Sequence, residues 1–257
     1  MQGEKHEGRT ILAIGGGDRR EFLQGLVTND VGRLDDGPVY AALLTPQGKY
    51  LADFLLVEDG ARILMDIATP LARDIYKKLS MYKLRADVTL EEAGLHVLRG
   101  TGEAPVGAVP DPRHPALGWR LYTDAEGQAP AIDWDAIRVA HCIPETGIEL
   151  VPGETFILEA GFERLHGVDH RKGCYVGQEV TARMKHKTEL RKGLVTVTVA
   201  GDAPPPGTLI EQGGKAAGTL YTVSGDGGIA HLRYDRAGEG MQAGAATVSW
   251  QPAAAAG

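Results

Sequence analysis

Apolar residues fall into short strand-like runs over the first hundred positions, thin out in the middle of the chain, and return as alternating segments after residue 192. ILAIGG, residues 11–16, is an apolar run closed by glycines and predicts a strand. Asp18 stands where a helix N-cap would, ahead of Phe22, Leu23, Leu26 and Val27, whose spacing predicts a helix through Val27. VYAALLT (39–45) and YLADFLLVE (50–58) are rich in β-forming residues and flank the turn sequence PQGK, which predicts a hairpin. ARILMDIA (61–68) predicts a further strand. Thr69 as N-cap and Pro70 at the first helical position then open a helix in TPLARDIYKKLSMYKLRA. VTLEEAGLHVLRG returns to strand, and the order β-α-β-β-β-α-β predicts an α+β, ferredoxin-like unit over residues 1–100 rather than a parallel series.

Residues 101–130 are rich in Gly, Pro and Asp and read as a loop-rich connection with one strand-like piece, GWRLYT. Asp133–His141 reads as a helix whose first turn carries Asp133 and Asp135, favourable to its dipole. Pro144, Pro152 and Gly153 break the chain beyond that helix, and TFILEAGFERLHGV is apolar without a period that decides its type. Beyond Arg191, KGLVTVTVAG, GTLIEQGGKAAGTLYTVSG, GIAHLRYDRAG and GAATVSW alternate between glycines, which predicts a small barrel or sandwich. The expected division is 1–100, 101–191 and 192–251, followed by a disordered tail at 252–257.

Composition adds bounds. The 257 residues are 43% hydrophobic and 24% charged, with a net charge of −7. That acidity makes a general nucleic-acid surface an unexpected property, since phosphate contacts need clustered cations. The basic stretch Lys185, His186, Lys187, Arg191 and Lys192 is either a solvated face or a contact for an anionic partner. MQGEKHEGRT is polar and no apolar run approaches the ~18 residues of a bilayer span, so a cytoplasmic chain with no membrane partner is expected. Cys142 and Cys174 are the only thiols, too few for a disulfide framework or a four-thiolate zinc or iron–sulfur site.

Three places hold candidate chemistry. Cys174 lies in RKGCYVGQEVTAR beside Lys172, a cation that favours thiolate, and near glycines that admit close approach of a ligand. A lone thiol is equally a small buried hydrophobe, and these residues alone leave both readings open. Asp53, inside an apolar strand, is either a solvent-facing residue or a buried acceptor or base with a partner. His166, Asp169 and His170 match none of the usual ligand spacings, so no metal site is expected. Cys142 reads as structural, and the glycines at 15–17 lack the spacing of a phosphate loop.

LQGLVTNDV (23–31), VYAALLTPQGKYLADFLLV (39–57), the Ile143–Pro144 pair and KGCYVGQEVTAR (172–183), in that order, resemble the YgfZ-type folate-binding proteins. These share their fold with the T-protein of the glycine cleavage system, an aminomethyltransferase, and the resemblance runs from Ile11 to Trp250. It implies an α+β, three-domain T-protein-like fold around a central pocket for tetrahydrofolate or a one-carbon derivative. It also implies a role in assembling or repairing iron–sulfur clusters, with iron–sulfur enzymes or cluster-assembly proteins as partners. The reactive positions it implies are Cys174, Lys172 and Asp53. The folate-facing ones are Tyr40, Asp53, Gly173, Tyr175, Gly177, Gln178, Glu179 and Arg183. One departure matters: Ala140 stands where the T-protein has a pteridine-gripping glutamate, and Cys142 replaces a glycine. Alanine offers no side-chain acceptor, which weighs against the alternative reading, a folate-dependent aminomethyl- or methyltransferase acting through Asp53.

Overall fold

The computed structural model describes residues 3–187 and 189–252. The chain divides into two compact units, one of Met1–Ile132 with Pro152–Glu154 and Phe162–Ala182, the other of Asp133–Val151, Thr155–Gly161 and Arg183–Gly257. Of the tail at 252–257, all but the first residue lies outside the described residues.

In the first unit, β1 (Glu4–Lys5) and β2 (Arg9–Gly15) precede α1 (Arg19–Gln24), and the expected hairpin follows as β3 (Val39–Leu44) and β4 (Tyr50–Asp59). β5 (Arg62–Ala68), α2 (Thr69–Tyr82) and β6 (Thr89–Glu92) complete an antiparallel five-stranded sheet in the order β3-β4-β5-β2-β6. Strand alternation gives this sheet two buried faces. Leu12, Ile14, Ala41, Leu43, Phe54, Leu56, Ile63 and Met65 form one, packed with Leu23 of α1 and Ile75 and Leu79 of α2. Ile11, Ala13, Val57 and Leu64 lie on the other. Because facing residues of an antiparallel pair share a face, the register of Tyr40 with Leu55 and of Leu55 with Asp66 puts Tyr40, Asp53 and Asp66 on that second face too.

The segment VTLEEAGLHVLRG is two strands, not one: it breaks at Gly94, whose φ of +65° suits glycine, into β6 and β7 (His96–Gly100). β7 belongs to a second sheet, ordered β1-β7-β9-β8, with β8 (Val109–Pro110) and β9 (Trp119–Thr123) drawn from the stretch that reads as loop. The sheet therefore runs across residue 100, and Val97 and Tyr122 from it pack against Ile11 and Leu64.

Asp18 takes the expected N-cap position of α1 without a side-chain cap, and the expected Thr69 N-cap of α2 fails, Ala68 standing there instead. α1 ends at Gln24, and the Asp18 carboxylate accepts from the Asp87 amide instead of capping it. Thr69 is the first residue of α2, its hydroxyl 2.9 Å from that of Thr10.

The second unit holds α3 (Trp134–His141), opened by the Asp133 carboxylate accepting from the Ala136 amide. α4 (Gln178–Lys187), a helix that the sequence pattern does not announce, has Gln178–Ala182 in the first unit and its remainder in the second. β10 (Lys192–Ala200), β11 (Thr208–Gln212), β12 (Lys215–Ser224), β13 (Gly227–Arg233), β14 (Met241–Ala243) and β15 (Ala246–Ser249) form a closed barrel in the order β10-β13-β12-β11-β14-β15. Val197, Ile210, Leu220, Leu232, Met241 and Val248 fill it. The apolar stretch 155–168 folds as successive turns. Among the described residues no helix is long and apolar enough to cross a membrane.

Candidate functional site

Asp53 is buried, 4% exposed, and both carboxylate oxygens accept a tyrosine hydroxyl: Tyr40 Oη at 3.0 Å on Oδ2 and Tyr50 Oη at 2.7 Å on Oδ1. Tyr50 and Asp53 stand three apart on β4 and by strict alternation would face opposite ways. The register shifts where Leu43 pairs with Ala52 but Leu44 with Tyr50, leaving Leu51 as an extra residue, and this bulge turns Tyr50 toward Asp53. Burial first, then the Asp53 charge, raises the Tyr40 hydroxyl well above the ordinary tyrosine range, so it stays a proton donor. The Tyr40 ring stacks on Phe162 with centroids 5.0 Å apart. With its hydroxyl on Asp53 and its ring 1% exposed, Tyr40 holds the carboxylate in place.

Behind this trio lies a charge network that the sequence pattern did not reveal. Asp66 accepts from Arg9 Nε and Arg120 Nη1, each at 2.6 Å, and from Tyr122 Oη at 3.1 Å. Arg120 Nε reaches Asp111 at 3.0 Å, and Asp111 takes Arg113 in a two-pronged pair of 2.9 and 2.7 Å. The Arg113 guanidinium ends the chain 5.6 Å from the centre of the Tyr40 ring. Burial works to raise both aspartates, but Arg9 and Arg120 at Asp66, and Arg113 and Arg120 at Asp111, outweigh it and hold each carboxyl below the usual range. Charged residues in the runs DPR (111–113) and WR (119–120) were the available signal, hidden because that stretch reads as loop.

A cavity of about 330 Å³ opens beside Tyr40, lined by Asn29, Arg33, Asp36, Pro110, Pro112 and His166 among others. This is the lower end of ligand-pocket size. Asn29 fixes two of its walls, its amide nitrogen donating to the carbonyls of Tyr40 and His166. The lining offers an acceptor at Asp36 and a cation at Arg33, groups that fit a heteroaromatic ring with amino and carboxylate substituents, while Asp53 is not among the lining residues and lies behind Tyr40. None of the cavity's lining residues comes from 171–183.

That stretch is a loop anchored on both sides of its thiol. Lys172 is buried and donates to the carbonyls of Gln24, at 2.7 Å, and Val27, at 2.5 Å, while lying 5.1 Å from the Tyr175 ring centre. Its ammonium therefore serves as a latch on the end of α1; burial lowers it to about 8, against the opposing pull of Asp30 and Asp169. Gly177, at φ +84°, docks on the hairpin turn so closely that a Cβ would lie 2.5 Å from the Thr45 carbonyl oxygen. Tyr175 and Thr181 are buried, Gln178 opens α4, and Glu179 and Arg183 are exposed on it. Cys174 stands exposed between the two anchors. A Cβ at Gly173 would meet nothing, so packing within the chain does not require glycine there.

The remaining candidates have structural partners. Cys142 is buried and closes α3 in the left-handed conformation, φ +50°, where helices favour glycine. Ala140 is exposed on α3. Arg138, two residues before it, is buried with Glu149 at 2.6 Å and Thr222 at 3.2 Å, a second internal ion pair the sequence did not reveal. His170 sits 3.0 Å from Glu163, and Asp169 accepts from the Arg171 amide; among the described residues no cluster suited to a metal ion forms. The Gly17 amide donates to the Asp87 carboxylate.

Residues 191–256 match the family model described as CAF17, C-terminal beta-barrel domain. The iron–sulfur cluster assembly factor IBA57, mitochondrial, of Mus musculus is 32% identical over 275 aligned residues, covering 88% of this chain and 76% of that protein. The Homo sapiens protein of the same name is 29% identical, covering 96% and 84%. The glycine cleavage system aminomethyltransferase T from Bartonella henselae matches with a TM-score of 0.76 at 12% identity, over 95% of this chain and 82% of that one, which shows the T-protein-like fold. The relatives are named mitochondrial, which overturns the cytoplasmic expectation: a polar opening segment and the lack of an apolar span do not specify a compartment. With such identity sustained over most of both chains, this chain belongs to the IBA57 family of iron–sulfur cluster assembly factors.

Proposed function

We propose that this protein assembles or repairs iron–sulfur clusters in the manner of the YgfZ-type proteins, holding tetrahydrofolate or a one-carbon derivative near Tyr40 and Asp53 and presenting Cys174 to a partner. The observation that carries this reading is the exposed thiol on a loop latched by Lys172 and Gly177, in a member of a family named for cluster assembly. A thiol held at the surface can lend a soft ligand to a cluster carried by another protein. With Cys142 buried, the chain has no second exposed thiol, so the remaining ligands come from the iron–sulfur enzyme or cluster-assembly protein that docks.

Folate has its support in the cavity beside Tyr40. Asp36 at the cavity wall would accept from a ring N–H and Arg33 would take a carboxylate, while Asp53 acts from behind through the Tyr40 hydroxyl it holds. Bound folate would supply one-carbon chemistry at its ring nitrogens. The chain's own part is to hold Asp53 rigid and keep the Tyr40 proton in place.

The test has two arms. Cys174→Ala is expected to fail to restore iron–sulfur enzyme activity in a strain lacking its own copy, and full rescue would remove the thiol from the mechanism. Titration calorimetry with tetrahydrofolate should give binding that Asp53→Asn weakens at least tenfold. Catalytic loss of a methylene donor that needs Asp53 but survives Cys174→Ala would replace this reading with a one-carbon transferase.

A further inference from the structure

Among the described residues, seven large apolar side chains are exposed, and four of them, Tyr76, Met81, Tyr82 and Leu84, fall within nine positions at the end of α2. Scattered exposed apolar residues need no explanation, whereas a contiguous group marks a contact surface. Leu84 is 85% exposed and sits at φ +44°, a conformation that costs a leucine about 1–2 kcal/mol. An exposed leucine held at a strained position contributes little to the fold.

The same helix borders a groove of about 700 Å³ between α2 and the edge strand β6, walled by Leu12, Ala72, Arg73, Tyr76, Lys77 and Glu92. Helical spacing carries the stripe of Arg73, Tyr76 and Lys77 onward to Met81, and Leu84 follows two residues beyond the helix end. Between residues 69 and 86 the chain places five cations, Arg73, Lys77, Lys78, Lys83 and Arg85, against the single acid Asp74. This concentration stands in a protein of net charge −7. Lys77 reaches Asp74 only at 3.9 Å, and both are exposed, a geometry that binds weakly.

We propose that this groove and the α2 end form a docking surface for a partner polypeptide segment that is amphipathic and acidic. Its carboxylates would lie along Arg73 and Lys77, and its apolar face on Tyr76, Met81 and Leu84. The concavity favours a polypeptide over a bilayer: a segment fits between a helix and a strand edge, where a flat membrane surface does not enter. The surface is separate from the Cys174 loop and the Tyr40 cavity in the residues it uses, so its test does not depend on folate or on the thiol.

The experiment uses the full-length protein and two labelled helical peptides of about 18 residues, five turns, with leucines on one face and either glutamates or lysines on the other. Fluorescence anisotropy is expected to show binding of the glutamate peptide that weakens with salt. Arg73→Glu with Lys77→Glu should reduce the affinity at least tenfold, and Leu84→Asn severalfold, with thermal unfolding confirming that both variants fold. Equal binding of the lysine peptide, no binding of the glutamate peptide at millimolar concentration, or unchanged affinity in both variants would each overturn the proposal. Preferential binding to phosphatidylglycerol vesicles would reassign the surface to a membrane. A concentration-dependent dimer lost on charge reversal would reassign it to a second copy of the chain.

Discussion

Tyr50 donates to Asp53 at 2.7 Å from three positions away on the same strand, a contact that depends on Leu51 being the extra residue of a bulge. Hydrogen bonds to a charged acceptor are the stronger kind, and removing the donor leaves a buried carboxylate short of a partner. Tyr50→Phe is therefore expected to lower stability by about 1.5–3 kcal/mol, measured by urea unfolding. Loss of under about 0.5 kcal/mol, the scale of a surface change, would mean that the hydroxyl is replaceable by solvent and Asp53 is not rigidly held.

Asp66 joins Arg9 and Arg120 where none of the three can reach bulk water easily. Asp66→Asn takes the carboxylate from Arg9 and leaves Arg120 with Asp111 alone, and should cost about 3–5 kcal/mol. Since the pairing holds the Asp66 and Asp111 carboxyls below their unfolded values, the folded state binds fewer protons than the unfolded one as pH falls. The stabilisation is complete above the unfolded carboxylate pKa of about 3.9 and is lost as pH drops below it. Denaturant unfolding between pH 2.5 and 6 should show a steep acid limb in the parent, shallower in Asp111→Asn. Equal slopes would show that other carboxylates drive acid unfolding.

For Lys172 the slope has the same sign but lies in an alkaline window and has a different cause, burial disfavouring its charged form. Its folded value of about 8 lies below the ordinary lysine value, so between the two the unfolded chain carries a proton that the native one lacks. Stability from this group rises with pH through that window. The neutral amine still has two N–H bonds for the Gln24 and Val27 carbonyls. Lys172→Met should cost about 1–3 kcal/mol at pH 7, and the gap to the parent should widen above pH 8. A constant gap across pH 7–10 would place the ammonium in water.

The hairpin, the α+β class and the barrel were legible because each rests on local signals: a turn sequence between β-rich runs, and alternation between glycines. Asp53 stood out as a carboxylate in an apolar strand, but its partner Tyr50 did not, because a one-residue bulge reverses the alternation on which any assignment of faces depends. Asp66 and Arg120 come from different sheets, 54 positions apart, and no periodicity links them. α4 was missed because its QEVTARMKHK stretch has no apolar stripe. Cys174 was found by its motif; that Lys172 points to α1 carbonyls could be known only from the fold.

The two thiols should separate by reactivity. Cys174 is exposed and Cys142 is 8% exposed at the close of α3. An aromatic disulfide reagent is expected to modify one thiol per native chain rapidly and the second only in denaturant. Cys174→Ala should abolish the fast phase while changing stability by less than about 0.5 kcal/mol, as for a surface position. A fast phase that survives Cys174→Ala would mean that α3 opens often enough to expose Cys142.

Gly177 and Gly173 flank the thiol region and should respond differently to alanine. At Gly177 the added methyl would meet the Thr45 carbonyl oxygen at 2.5 Å and the Leu44 Cβ at 3.0 Å, with φ at +84° disfavouring any side chain. Backbone on the hairpin cannot step aside as a side-chain tip could, so Gly177→Ala should cost about 2 kcal/mol or more. At Gly173 the methyl meets open space, and Gly173→Ala should be close to neutral. The two variants also divide the anchoring of the loop from its chemistry. If docking on the hairpin is what holds Cys174 in place, Gly177→Ala should change the rate of thiol modification while Gly173→Ala leaves it within about twofold. Equal destabilisation by both would show that the loop is not seated on the hairpin, and the latch at Lys172 would then be its only anchor.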